Sequence, residues 1–200
     1  MGCLKKFFRA IIIALAIIGF ISIGGKEWIG TLINKYVHKS PQTMVERARK
    51  VGDFSEINEE FEIEKANGML GYNGVLAEHK ASGQKLIVVD DSKKPIFTKS
   101  DIESGDIEAK LKNSLGKVKY QSIGLENFEV TKHGTMYSYG KTVPYARFNA
   151  KITRFPVGAM SGVVAVVTTG SGEDRILISV NEKAKYSQLL AEEFFKKIKE

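Results

Sequence analysis

Hydrophobic positions along this chain follow three regimes: an unbroken apolar run, a short region of helical spacing, and a long region of period two. The run is Ala10 to Gly25, sixteen residues without a charge. Its bulk is Ala10, Ile11, Ile12, Ile13, Leu15, Ile17, Ile18, Phe20 and Ile21. With Phe7 and Phe8 it reaches nineteen residues if Arg9 snorkels toward the headgroups, about the least that crosses a bilayer as a helix. It is apolar on all faces and follows a basic tail, which favours a membrane segment over a core helix.

Helical spacing comes next. Trp28, Ile29, Leu32, Ile33, Tyr36 and Val37 repeat every four residues and place one stripe on a helix, which lies in the membrane interface or packs on the domain. Ser40-Pro41 reads as an N-cap with proline at the first helical position. Met44, Val45, Ala48 and Val51 mark one face of a short helix that Gly52 closes.

From Glu60 the period becomes two. Phe61 and Ile63 alternate with Glu60, Glu62 and Glu64, and Asn67-Gly68 is a hairpin signal. Tyr72 to Lys80 is the next predicted strand, Ala81 to Gln84 a turn, and Leu86 to Val89 a buried strand. Ile107, Leu111 and Leu115, with Gly116 as a stop, predict a short helix over the sheet. Strands follow around Val118, Tyr120, Phe128 and Val130. Ala146, Phe148, Ala150 and Ile152 then alternate with Arg147, Asn149, Lys151 and Thr153. Gly162 to Thr169 is continuous Val and Ala, as a central strand requires, and Gly170 to Asp174 turns it into Ile176 to Val180. Tyr186, Leu190, Phe194 and Ile198, joined by Leu189 and Phe195, predict a terminal helix.

Short turns between successive strands imply antiparallel pairing. The expected class is therefore α+β: an N-terminal transmembrane helix, then a mostly antiparallel sheet with helices packed on it. The boundaries are residues 1–25 for the anchor, 26–58 for a helical juxtamembrane connector and 59–200 for the globular domain. From Phe61 to Lys199 the order of elements, ending in Ile176-Leu177-Ile178-Ser179-Val180 and a helix, resembles the PsbP-like α/β/α fold. That family includes the photosystem extrinsic subunit and DcrB-type bacterial envelope domains. The resemblance implies a non-catalytic accessory or binding role and carries over no functional residue. No cysteine follows the apolar region, which departs from the envelope lipoproteins.

Charge decides the expected topology. Lys5, Lys6 and Arg9 precede the run and only Lys26 closely follows it, which puts the N-terminus in the cytoplasm and the domain outside. Lys35 and Lys39, further out, narrow that difference and keep a cytoplasm-facing regulator as an alternative. A cleavable signal is the other alternative, since Ser22-Ile23-Gly24 has a small-x-small pattern. Met1-Gly2-Cys3 begins like an acylation site, but Lys6 stands where that pattern wants Ser or Thr. Cys3 is the only cysteine, so disulfides, thiol catalysis and cysteine-bound zinc are excluded from the domain. The net charge is +7, with the cations scattered among acids, unlike the clustered Arg, Lys and aromatics of a nucleic-acid groove.

Candidate chemistry is sparse. His38, His79 and His133 share no ligand spacing. Ser82–Lys85 and Ser114–Lys117 have the Ser-x-x-Lys spacing without its helix-start setting or companion motifs. Gly170-Ser171-Gly172 leads into a strand, not the helix a phosphate loop needs. Glu60, Glu62 and Glu64 read as the wet face of an edge strand; a second loop would have to add oxygens for calcium. Tyr137, Tyr139 and Tyr145, around Gly140 and Pro144, form either a binding surface or core packing. No cofactor or metal is expected. The function expected is a membrane-tethered extracytoplasmic binding module, partnered by membrane lipid and by another envelope protein or an anionic ligand; an envelope hydrolase is the lesser alternative.

Overall fold

The computed structural model describes residues 41–69, 72–90, 98–109, 125–152 and 159–200. Helix α1 is Pro41–Ala48. Strands β1 (Phe61–Met69), β2 (Tyr72–His79) and β3 (Lys85–Asp90) follow, then helix α2 (Lys99–Ser104). Strands β4 (Leu125–Ser138), β5 (Lys141–Ile152), β6 (Met160–Thr168) and β7 (Asp174–Glu182) precede helix α3 (Gln188–Lys196). The seven strands among the described residues form one antiparallel sheet in the order β1-β2-β3-β7-β6-β5-β4. The expected α+β class and antiparallel pairing are what the chain adopts.

Alternation along the strands creates two cores. Leu86, Val88, Val143, Val163, Ala165, Val167 and Leu177 point to one face, where Ala48, Val51, Ala191, Phe194 and Phe195 from the α1 and α3 regions cover them. Ile87, Phe148, Val164, Val166, Ile176 and Ile178 point to the other, where Ile102 of α2 and Ile107 cover them. The continuous Val and Ala of β6 are explained by this double covering, because every residue from Met160 to Val167 is buried.

Turn chemistry joins the strands. The β4–β5 reversal is the pair Tyr139 and Gly140, both with positive φ, 50° and 71°. That is the two-residue turn that matches strand twist. Tyr139 accepts a left-handed backbone because its ring is buried and its hydroxyl donates to the Val51 carbonyl at 2.7 Å. Burial pushes that hydroxyl's pKa far up, so it stays a donor. Pro144 sits in β5 just before Tyr145, where pairing with β6 begins, so its missing amide breaks no bond of that ladder.

A buried arginine fastens α1 to the sheet end. Arg175 on β7 donates to the Val51 carbonyl at 3.3 Å, to Asp90 at 2.9 Å and to Glu173 at 2.5 Å. Beyond it, Asp53 and Lys199 pair backbone to backbone. The chain from Pro41 onward is thus part of the domain, so the expected connector gives way to the domain earlier than residue 59.

Other expectations shift. Asn67-Gly68 is not the reversal: both residues stay in the ladder, opposite Gly74 and Asn73, and the pairing continues to Met69 and Tyr72. Helix α2 is not among the expected elements; its signal is a capping box in which Thr98 and Asp101 bond each other's backbone amides, closed by left-handed Gly105. Leu111, Leu115 and the strands near Val118 and Tyr120 lie outside the described residues. On α3, Leu189 is 77% exposed instead of in the stripe, and Tyr186 precedes the helix, whose N-cap is Ser187.

Two predictions test this packing by equilibrium denaturation. A Cβ at Gly162 would lie 2.5 Å from Phe148 Cζ and 2.5 Å from the Ser179 carbonyl, whereas one at Gly74 would meet nothing nearer than 3.4 Å. Gly162→Ala should therefore cost about 2 kcal/mol or more and Gly74→Ala under about 0.5 kcal/mol; equal costs would contradict the close approach. Arg175→Met, which strips a partner from Asp90, should cost about 3 kcal/mol, and Tyr139→Phe about 1 kcal/mol, because Arg175 still satisfies Val51. A reversed order would contradict the fastening.

Candidate binding surface

The candidate residues separate once placed in the fold. Ala10 to Ile21, the apolar run, lie outside the described residues, as do His38, Ser114 and Lys117. Among the described residues, no helix is long and apolar enough to cross a membrane. Of the three tyrosines, Tyr139 and Tyr145 are in the core, and only Tyr137 is exposed. The Tyr137 hydroxyl donates to the Gly140 carbonyl at 2.8 Å, tying it to its own turn. Core packing thus claims two of the three, and they make no common surface. The reason is parity: Tyr145 shares the inward face with Val143, while Tyr137 lies on the opposite face from its neighbours Met136 and Ser138.

His79 meets Ser82 and Glu60 at the β2–β3 turn. Ser82 Oγ is 2.8 Å from His79 Nδ1, and the Ser82 amide donates to the same nitrogen at 3.2 Å. Nδ1 is therefore the acceptor nitrogen, which leaves the proton on Nε2, 3.9 Å from Glu60. This superficially resembles a nucleophile, base and orienting acid. Its chemistry is a turn cap: Nδ1 is shared by two donors, and Glu60 is 63% exposed. The neighbouring amides of Gly83 and Gln84 are spent on the His79 carbonyl and on Ser82 Oγ, leaving neither to hold an oxyanion. Lys85 bonds carboxylates of β1 and β2 instead, so the Ser82–Lys85 spacing brings no base to the serine. His133 is exposed on β4. No group of three or more metal-ligating side chains occurs among the described residues.

On the face covered by α2, buried Lys85 bonds Glu64 at 3.0 Å and also Glu78. Two carboxylates thus share one ammonium across β1, β2 and β3. Burial, and then the adjacent Glu78, hold the Glu64 carboxyl above its ordinary range, although Lys85 opposes them. Glu62 remains exposed on β1, which is an edge strand as expected.

On the opposite face a second polar group forms around β5. Arg147 lies directly across from Lys132 of β4, and its guanidinium carbon sits 5.4 Å from the centre of the Tyr186 ring. Tyr186 is held from both sides. Its amide bonds the Glu182 carbonyl, and the next residue, Ser187, exchanges hydrogen bonds of 2.8 Å with fully buried Gln84. Gln84 in turn donates to Ser179 at 2.9 Å. Two residues along β5, Asn149 accepts from buried Ser161 at 2.6 Å. The Tyr186 hydroxyl is buried without a hydrogen-bond partner among the described residues. Sequence periodicity puts Arg147 and Asn149 on one strand face but cannot pair them with Tyr186.

No known family model matches the chain, and comparison with curated proteins finds no match. The geometry of these groups therefore carries the reading of the site.

The Lys85 cluster has a definite pH signature. A carboxyl whose folded pKa is raised above 4.5 binds protons better in the folded state. Its contribution is full below the unfolded value and fades as pH rises through the folded one. Between pH 7 and 4.5, wild type should therefore gain stability relative to Glu64→Gln as pH falls, with the variant at least as stable at pH 7. Urea denaturation across that range checks it; a difference that stays flat or changes in the other direction would contradict the cluster's assignment.

Proposed function

We propose that this protein is a non-catalytic binding or assembly module held at a membrane by its N-terminal segment, with the α+β domain on the extracytoplasmic side. The observation that carries this reading is the uncharged run from Ala10 to Gly25, preceded by Lys5, Lys6 and Arg9 and followed by a domain without cysteine. A domain free of thiols tolerates an oxidising compartment. The binding role is supported by how the polar residues are spent. His79, Ser82, Gln84 and Arg175 are engaged in turns and fastenings, while the Arg147 guanidinium and the Tyr186 hydroxyl are not, among the described residues.

We further propose a PsbP-like architecture for the domain. Its support is the order of elements, the helices on both faces of the antiparallel sheet, and the terminal β7–α3 unit. The partner is an envelope protein or an anionic ligand. A cytoplasm-facing regulator is the second reading, favoured by Lys26, Lys35 and Lys39 behind the run.

Protease treatment of intact spheroplasts, with an intact mass of the membrane-extracted protein, tests this reading. The expected result is digestion of the domain from outside and an uncleaved N-terminus. Full protection in the membrane fraction would reverse the topology. A soluble product beginning near Gly25 would remove the tether.

A further inference from the structure

Among the described residues, the Arg147 corner has donors without acceptors. A guanidinium presents five N–H donors in a planar fork. Arg147 is half-buried, and its guanidinium lies over the Tyr186 ring and makes no salt bridge or hydrogen bond among the described residues. Beside it the Tyr186 hydroxyl is a buried donor with no partner among them, whereas buried polar groups are almost always paired. Asn149 has its oxygen occupied by Ser161, so its amide nitrogen is left to donate. Lys132 adds a second cation directly across the strand pair.

Among the described residues, the acids nearby do not fill the corner. Glu129, opposite Asn149 in the register, is exposed and pairs with none of these groups. Glu192, on the α3 side of Tyr186, accepts from Gln188 at 2.9 Å. The arrangement is also rigid where a receptor must be. The Arg147 guanidinium carbon lies 5.4 Å from the centre of the Tyr186 ring, and Gln84 and Ser187 fix the segment carrying Tyr186. A guanidinium with no carboxylate partner among the described residues is complementary to a group offering two oxygens.

We propose that the Arg147–Tyr186 corner is a receptor for an oxyanion, the carboxylate or phosphate of a small molecule or of a lipid headgroup. Arg147 supplies the bidentate fork, Lys132 the second charge, and the Tyr186 hydroxyl and Asn149 amide further donors. This deepens the reading of the domain as a binding module and does not depend on which side of the membrane it occupies.

The test uses the full chain in neutral detergent micelles, titrated with inorganic phosphate and with acetate against chloride at constant ionic strength. Thermal midpoints give the affinity. One or both oxyanions should raise the wild-type midpoint saturably, with affinity about tenfold or more weaker in Arg147→Met. Arg147→Lys keeps the charge but loses the fork, so it should recover little of that affinity. Tyr186→Phe should weaken binding severalfold with the fold intact. The same titration in phosphatidylcholine nanodiscs, with and without phosphatidylglycerol, separates the sources. Stabilisation by the anionic lipid that requires Arg147 assigns a headgroup, and stabilisation by phosphate or acetate alone assigns a free molecule. A response unchanged in both Arg147 variants, or no saturable response to any of the three, would overturn the proposal. Protease accessibility is measured separately, so a wrong topology and a wrong site give different results.

Discussion

Everything in this domain depends on β6 and β7 having no wet face. A strand buried on both sides must supply apolar side chains of both parities, which is why Val163 to Val167 and Ile176 to Ile178 read as continuous runs. Each fully buried Val, Ile or Leu contributes about 1.5–3 kcal/mol relative to exposure, far more than any single turn or cap. The helices are consequences of this demand. Helix α3 and the α1 region seal one face, and α2 with Ile107 seals the other. Gly162 follows from the same crowding, since Phe148 and the Ser179 carbonyl occupy the space a side chain would need.

Burial on both faces also sorts the polar residues. A polar group in such a sheet must be paired or sit where the covering ends. Gln84 is paired to Ser179 and to Ser187, Arg175 is paired to Val51, Asp90 and Glu173, and Lys85 is paired to Glu64 and Glu78. Arg147 differs from these. Its partner is the face of an aromatic ring, which orients a guanidinium without using its donors. That contrast, more than any motif, gives the surface a chemical direction.

How much of this was legible in the sequence follows from the range of each interaction. Period-two stretches such as Ala146, Phe148 and Ala150, and the buried run of β6, were readable because alternation is a local consequence of strand geometry. The terminal helix was readable through Phe194 and Ile198, but Leu189 was misplaced because it lies two residues before buried Ala191, which at about 100° per residue turns it to the solvent side. Asn67-Gly68 misled because strand pairing overrode a local turn preference. Helix α2 is too short for a period, and only its capping box announced it. The tyrosines were ambiguous because φ at Tyr139 and the covering of Tyr145 are tertiary facts. The contact of Arg147 with Tyr186 joins a strand residue to one just before a distant helix, and no spacing rule connects them.

The doubly covered pair β6 and β7 is the stability core, and the edges are subordinate to it. Native-state hydrogen exchange on the full chain tests it most directly. Amides of β6 and β7 should exchange only through global unfolding. The outer amides of edge strands β1 and β4 should exchange through smaller local openings. Edge amides as protected as those of β6, or β6 amides released by local opening, would contradict it.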